Sequence, residues 1–72
     1  MYPRIRQLRE MRGFTQQAIA HYLHVTQSTY SDYESGKILL PTFVLIKLAD
    51  LFHTSTDYLL GLTDQQEPHA PL

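Results

Sequence analysis

The 72-residue sequence contains no cysteine, which excludes a disulfide scaffold and any thiolate metal site or nucleophile. It also lacks any apolar run near the ~18 residues that a membrane span needs. Met1-Tyr2-Pro3-Arg4-Ile5-Arg6 leads directly into charged sequence, so the expectation is a soluble, unsecreted, cytoplasmic protein. Internal repeats, low-complexity tracts and flexible linkers are absent as well. Positive charge is scarce: the net charge is −1, which as a bare composition argument weighs against a nucleic-acid partner. Distribution softens that objection, because Arg4, Arg6, Arg9 and Arg12 crowd the first residues while Asp50, Asp57, Asp64 and Glu67 fall in the last third. The N-terminal half is therefore expected to be locally basic. Length permits one core and not two, and a chain this small buries only roughly 60% of its unfolded surface. Self-association would add what the monomer lacks.

Glycine, proline and capping residues divide the chain into five segments with apolar residues at helical spacing and no convincing strand alternation, predicting an all-α domain. Pro3 suits the first turn of a helix from about Tyr2 to Arg12 that carries Ile5 and Leu8, with Gly13 just beyond its end. Thr15 caps a second helix with Ile19, Ala20 and Leu23 inward, and Thr26 caps a third with Tyr30 and Tyr33 inward and Gly36 as its stop. Thr42 is expected to cap a fourth, where Leu45, Leu48, Ala49 and Phe52 form the strongest core stripe. Val44, Ile46 and Leu51 widen that face, so this helix should be covered on more than one side. Thr54 and Asp57 resemble a capping box opening a fifth helix, closed by Gly61. The expected organisation is a domain over 1–63 and a tail over 64–72, frayed from Gln65.

Two short helices joined only by Leu23-His24-Val25 must cross sharply, which is the demand of a helix-turn-helix over Gln16–Ser35. Ala20 is small where the helices approach. Ile19, Leu23, Val25, Tyr30 and Tyr33 are apolar where such a motif buries side chains. The strings Ile5-Arg6-Gln7-Leu8-Arg9, Gly13-Phe14-Thr15-Gln16-Gln17-Ala18-Ile19-Ala20, Leu23-His24-Val25-Thr26-Gln27-Ser28-Thr29, Tyr33-Glu34-Ser35-Gly36-Lys37, Leu48-Ala49-Asp50-Leu51-Phe52 and Asp57-Tyr58-Leu59-Leu60-Gly61-Leu62-Thr63-Asp64 together resemble the phage lambda repressor and Cro-like helix-turn-helix regulators of the xenobiotic-response-element type. The resemblance implies a five-helix domain with its third helix, about 26–35, in the major groove of a double-stranded DNA operator.

Under that resemblance Gln27, Ser28, Ser31 and Asp32 are candidate base contacts. A glutamine amide can donate and accept together against adenine, which makes Gln27 the leading reader. Gln16 matches a phosphate-contacting residue of the family, at a helix N-terminus that itself favours an anion, and Thr26, Thr29 and Lys37 join it as candidate backbone contacts. Arg9 and Glu34 match a structural salt bridge between the first and third helices. Tyr58, Leu59 and Leu60 are more apolar than a short last helix requires and either close the core or form a dimer seam; Tyr58, Leu59 and Leu62 are the candidate homodimer contacts.

Some features depart from the family. His24 stands where a turn glycine is usual, and histidine enters the left-handed region more readily than most side chains. Asp32 replaces a basic or amide residue, Ile38-Leu39-Leu40 replaces a polar and basic loop, and Thr15–Ser35 holds no lysine or arginine. These keep open a rival reading, the same fold as a protein-interaction module of antitoxin or antirepressor type. His21 and His24 lack a third metal ligand, and Ser28 or Ser31 with His21 lacks any nucleophile frame, so neither a metal, a cofactor nor catalysis is expected. Tyr22 can either contact phosphate or pack. The reading is a small homodimeric repressor with no sensory domain.

Overall fold

The computed structural model describes residues 2–67; the part of the expected tail over 68–72 lies outside them. Five helices follow in order, α1 (Pro3–Met11), α2 (Gln16–Leu23), α3 (Gln27–Ser35), α4 (Thr42–Leu51) and α5 (Thr56–Leu60), with no strand among the described residues. The class is all-α, as the spacing of apolar residues indicated.

Helix starts follow from side chains that satisfy free backbone amides. The Thr15 hydroxyl accepts from the Ala18 amide at 3.0 Å and the Thr26 hydroxyl from Thr29 at 3.1 Å. Two expected starts are corrected. Pro41, not Thr42, is the capping residue of α4, because its extended backbone (φ −64°, ψ 149°) makes it the last residue outside the helix, and no side chain caps this end. Ser55, not Thr54, caps α5 by accepting from the Tyr58 amide at 3.0 Å, while Thr54 is buried and its hydroxyl donates to the Gln66 carbonyl.

Helix stops share one device. A backbone amide bonds to the carbonyl five residues back: Phe14 to Arg9, Val25 to Ala20, Lys37 to Asp32, Thr54 to Ala49 and Leu62 to Asp57, at 2.8–3.0 Å. Each such turn places one residue in the left-handed region. Glycine takes it at Gly13, Gly36 and Gly61, but histidine takes it at His24 (φ 59°) and His53 (φ 53°). The turn between α2 and α3 is thus made by His24 as expected; His53 carried no such signal in the reading.

Every helix contributes to one core: Ile5 and Leu8, then Ile19, Ala20 and Leu23, then Tyr30 and Tyr33, then Val44, Leu48, Ala49 and Phe52, and finally Leu59. Helix α4 departs from expectation on one side, because Ile46 is 56% exposed rather than buried. The segment beyond α5 is held to the domain as far as it is described. Arg4 lies 4.2 Å from the centre of the Tyr58 ring, donates to the Tyr58 carbonyl at 3.0 Å and to the Thr63 carbonyl, and pairs with Asp64 at 2.7 Å. Thr54 is likewise bonded to Gln66, so contacts with the domain extend past position 64 among the described residues.

Candidate nucleic-acid interface

Helices α2 and α3 pack through Ala20, which is fully enclosed, and the sharp turn at His24 leaves the outer side of α3 open to solvent. On its inner side Glu34 anchors α3. The Glu34 carboxylate accepts from Arg9 Nε at 2.7 Å and Nη2 at 3.2 Å, from the Tyr30 hydroxyl at 2.7 Å and from Gln16 Nε2 at 3.3 Å. Three helices meet on one carboxylate, and Arg9 also donates to the Phe14 carbonyl at 2.9 Å. Burial by itself would raise the Glu34 carboxyl, but the hydrogen bonds from Arg9, Tyr30 and Gln16 outweigh it and hold it below its ordinary value. The Glu34 hydrogen bond likewise raises Arg9, and burial followed by the Glu34 bond pushes the Tyr30 phenol up. Arg9 is therefore an internal tie, with its guanidinium spent on Glu34 and Phe14.

Outside this knot the candidate base contacts converge. Gln27, Ser28, Ser31 and Asp32 line one open depression of about 400 Å³, and Gln16 closes its edge from α2. The Gln27, Ser28, Ser31 and Asp32 side chains form no hydrogen bond or ion pair with the described residues, so their polar atoms are available to a ligand. Gln16 differs from them, since its amide nitrogen is already oriented by Glu34. Sequence reasoning missed this link, because residues eighteen apart in sequence signal it only through the packing of α2 on α3.

The candidate backbone contacts are placed unequally. Thr26 spends its oxygen on the α3 cap and its proton on Thr29 Oγ1 at 2.9 Å, leaving Thr29 the freer hydroxyl. Lys37 is exposed just past the end of α3 and has no ion-pair partner among the described residues. Tyr22 packs across to α4, its hydroxyl donating to the Lys47 carbonyl at 3.4 Å.

The four N-terminal arginines differ in what engages them, and Arg6 and Arg12 are exposed. Arg4 and Arg9 are tied as described, Arg6 pairs with Glu10 at 3.3 Å, and Arg12 donates to the Phe52 carbonyl at 2.9 Å. The candidate dimer contacts also divide. Leu59 is 1% exposed and belongs to the core, Tyr58 is half-buried beneath Arg4, and Leu62 is 73% exposed. Among the described residues no group of three histidine or acidic side chains could hold a metal ion, and no helix is long and apolar enough to cross a membrane.

A helix-turn-helix family model matches residues 5–59, from the first buried residue of α1 to the buried leucine of α5. Relatives in Bacillus subtilis (strain 168) match most of the chain. It is 38% identical over 65 residues to YobD, an uncharacterized HTH-type transcriptional regulator, covering 90% of this chain and 58% of that protein. It is 40% identical over 68 residues to the HTH-type transcriptional regulator AnsR, covering 94% and 58%, and 38% identical over 58 residues to the HTH-type transcriptional regulator ImmR, covering 81% and 46%. The chain thus spans about half the length of the curated relatives it matches. No solved structure matches it significantly.

Proposed function

Because the chain belongs to the lambda repressor/Cro-like helix-turn-helix family of transcriptional regulators, we propose that it binds double-stranded DNA sequence-specifically, with α3 in the major groove. It acts in the cytoplasm as a homodimeric repressor, the repressor role following the habit of the family. The observation that carries this reading is the depression where Gln27, Ser28, Ser31 and Asp32 meet Gln16, with the four α3 side chains unengaged and backed by a helix that the Glu34 knot keeps rigid. Gln27 reads a base edge; Gln16, Thr29 and Lys37 contact phosphate and set the register.

A second reading has its own support. With Arg4 and Arg9 tied to Asp64 and Glu34 and Asp32 unpaired on the outer face, the same depression suits a protein partner, as in an antitoxin or an antirepressor target. Titration against a duplex selected from a random-sequence pool separates the two. At salt raised from about 50 to about 200 mM, the DNA reading expects affinity to fall roughly 10- to 100-fold, a shallow slope suited to the few free cations. Failure to bind any selected duplex at the lower salt assigns the surface to a protein instead.

A further inference from the structure

The side of α4 turned away from the core carries Phe43, Ile46, Lys47 and Asp50, at the i, i+3, i+4 and i+7 spacing of a single helical face. Phe43 is 58% exposed and Ile46 56% exposed. Isolated exposed apolar side chains are ordinary, but an apolar group of this kind rimmed by charge marks an interaction surface. Lys47 and Asp50 are both exposed, and neither has an ion-pair partner among the described residues. The face therefore carries one free charge of each sign beside its apolar residues.

That pattern selects the occupant. A patch of one sign would call for a partner of the other, whereas one lysine and one aspartate on the same face complement each other across a two-fold axis. We infer that this face of α4 is the seam on which a second copy of the chain docks, with each Lys47 set against the Asp50 of the other copy about the two-fold axis and Phe43 and Ile46 buried to either side of it. The inference names the seam of the homodimer proposed above and is independent of DNA binding. It replaces the carboxy-terminal helix in that role: Leu59 faces the core, and Tyr58 is covered by Arg4.

Sedimentation equilibrium of the 72-residue chain tests it. Ile46→Lys should weaken self-association at least tenfold with the helical circular dichroism unchanged, and Leu62→Lys should not weaken it. Lys47→Asp and Asp50→Lys should each weaken it several-fold, and the double exchange should restore it. The inference is overturned if the wild-type chain is monomeric, if Leu62→Lys dissociates the dimer while Ile46→Lys leaves it intact, or if the double exchange fails to restore association. A monomer that nonetheless binds its selected duplex would remove this seam and leave the DNA reading standing.

Discussion

On its inner side α3 presents Tyr30, Tyr33 and Glu34, all buried, with the Glu34 carboxylate accepting from three partner residues; on its outer side it presents Gln27, Ser28, Ser31 and Asp32, whose side chains bond to none of the described residues. The contrast separates what holds the domain together from what meets a ligand. Buried polar groups must be paired or they cost stability, whereas exposed ones lose little by waiting for a partner. Substitutions on the two faces should therefore have different readouts, melting temperature for one and affinity for the other.

The largest effect belongs to the inner face. Glu34→Ala leaves the Arg9 guanidinium without its counter-charge and the Tyr30 hydroxyl without its acceptor, which should cost roughly 3–5 kcal/mol. For a domain of this size each kcal/mol lowers the melting temperature by about 4–8 °C. Thermal unfolding followed by circular dichroism checks it, and an unchanged midpoint for both Glu34→Ala and Arg9→Ala would make Arg9 a candidate DNA ligand instead. Tyr30→Phe removes one donor and spares the ion pair, so the loss should be about 1 kcal/mol.

The same knot dictates the pH response. The Glu34 carboxyl sits below its ordinary value, so its contribution is complete above the unfolded value of about 4.3 and is lost as pH falls through the lower folded value. The Tyr30 phenol is raised, so its contribution is intact below about pH 10 and declines at more alkaline pH. Urea midpoints measured from pH 3 to pH 7 should show the acid loss in the wild type, and Glu34→Gln should flatten that step.

Smaller effects sharpen the comparison at the outer face and the turns. Asp32→Asn should strengthen binding to selected and scrambled duplexes alike by a few-fold, because it removes a negative charge near phosphates without adding a reader. Weakening confined to duplexes that present cytosine would instead make Asp32 a base contact. His24→Gly and His53→Gly relieve left-handed strain at both turns and should each raise stability by about 0.5–1 kcal/mol, net of glycine's greater freedom in the unfolded chain. Calorimetry on the two variants measures this.

What could be read from sequence was local. Thr15 and Thr26 before apolar spacing and Gly36 and Gly61 after it mark helix ends because caps and left-handed stops act within a few residues. Thr54 and Ser55 are equally good caps by type, and the choice between them was made by packing that draws Thr54 inward to Gln66. Periodicity cannot orient a helix as short as α5, so the sequence leaves Leu59 between core and dimer seam, and packing puts it in the core. Hydrophobicity likewise placed Ile46 inside, although helix geometry sets it on the face with Lys47 and Asp50. The arginines illustrate the same limit, since Arg4 reads as surface charge until its partners at Tyr58, Thr63 and Asp64 are brought beside it.

The most direct test of the division between the two faces of α3 is a paired measurement on Gln27→Ala, its melting temperature and its affinity for a selected and a scrambled duplex. The account predicts an unchanged melting temperature, a loss of roughly 1–3 kcal/mol on the selected duplex and little change on the scrambled one. Equal losses on both duplexes, or a lowered melting temperature that accounts for the weakened binding, would contradict it.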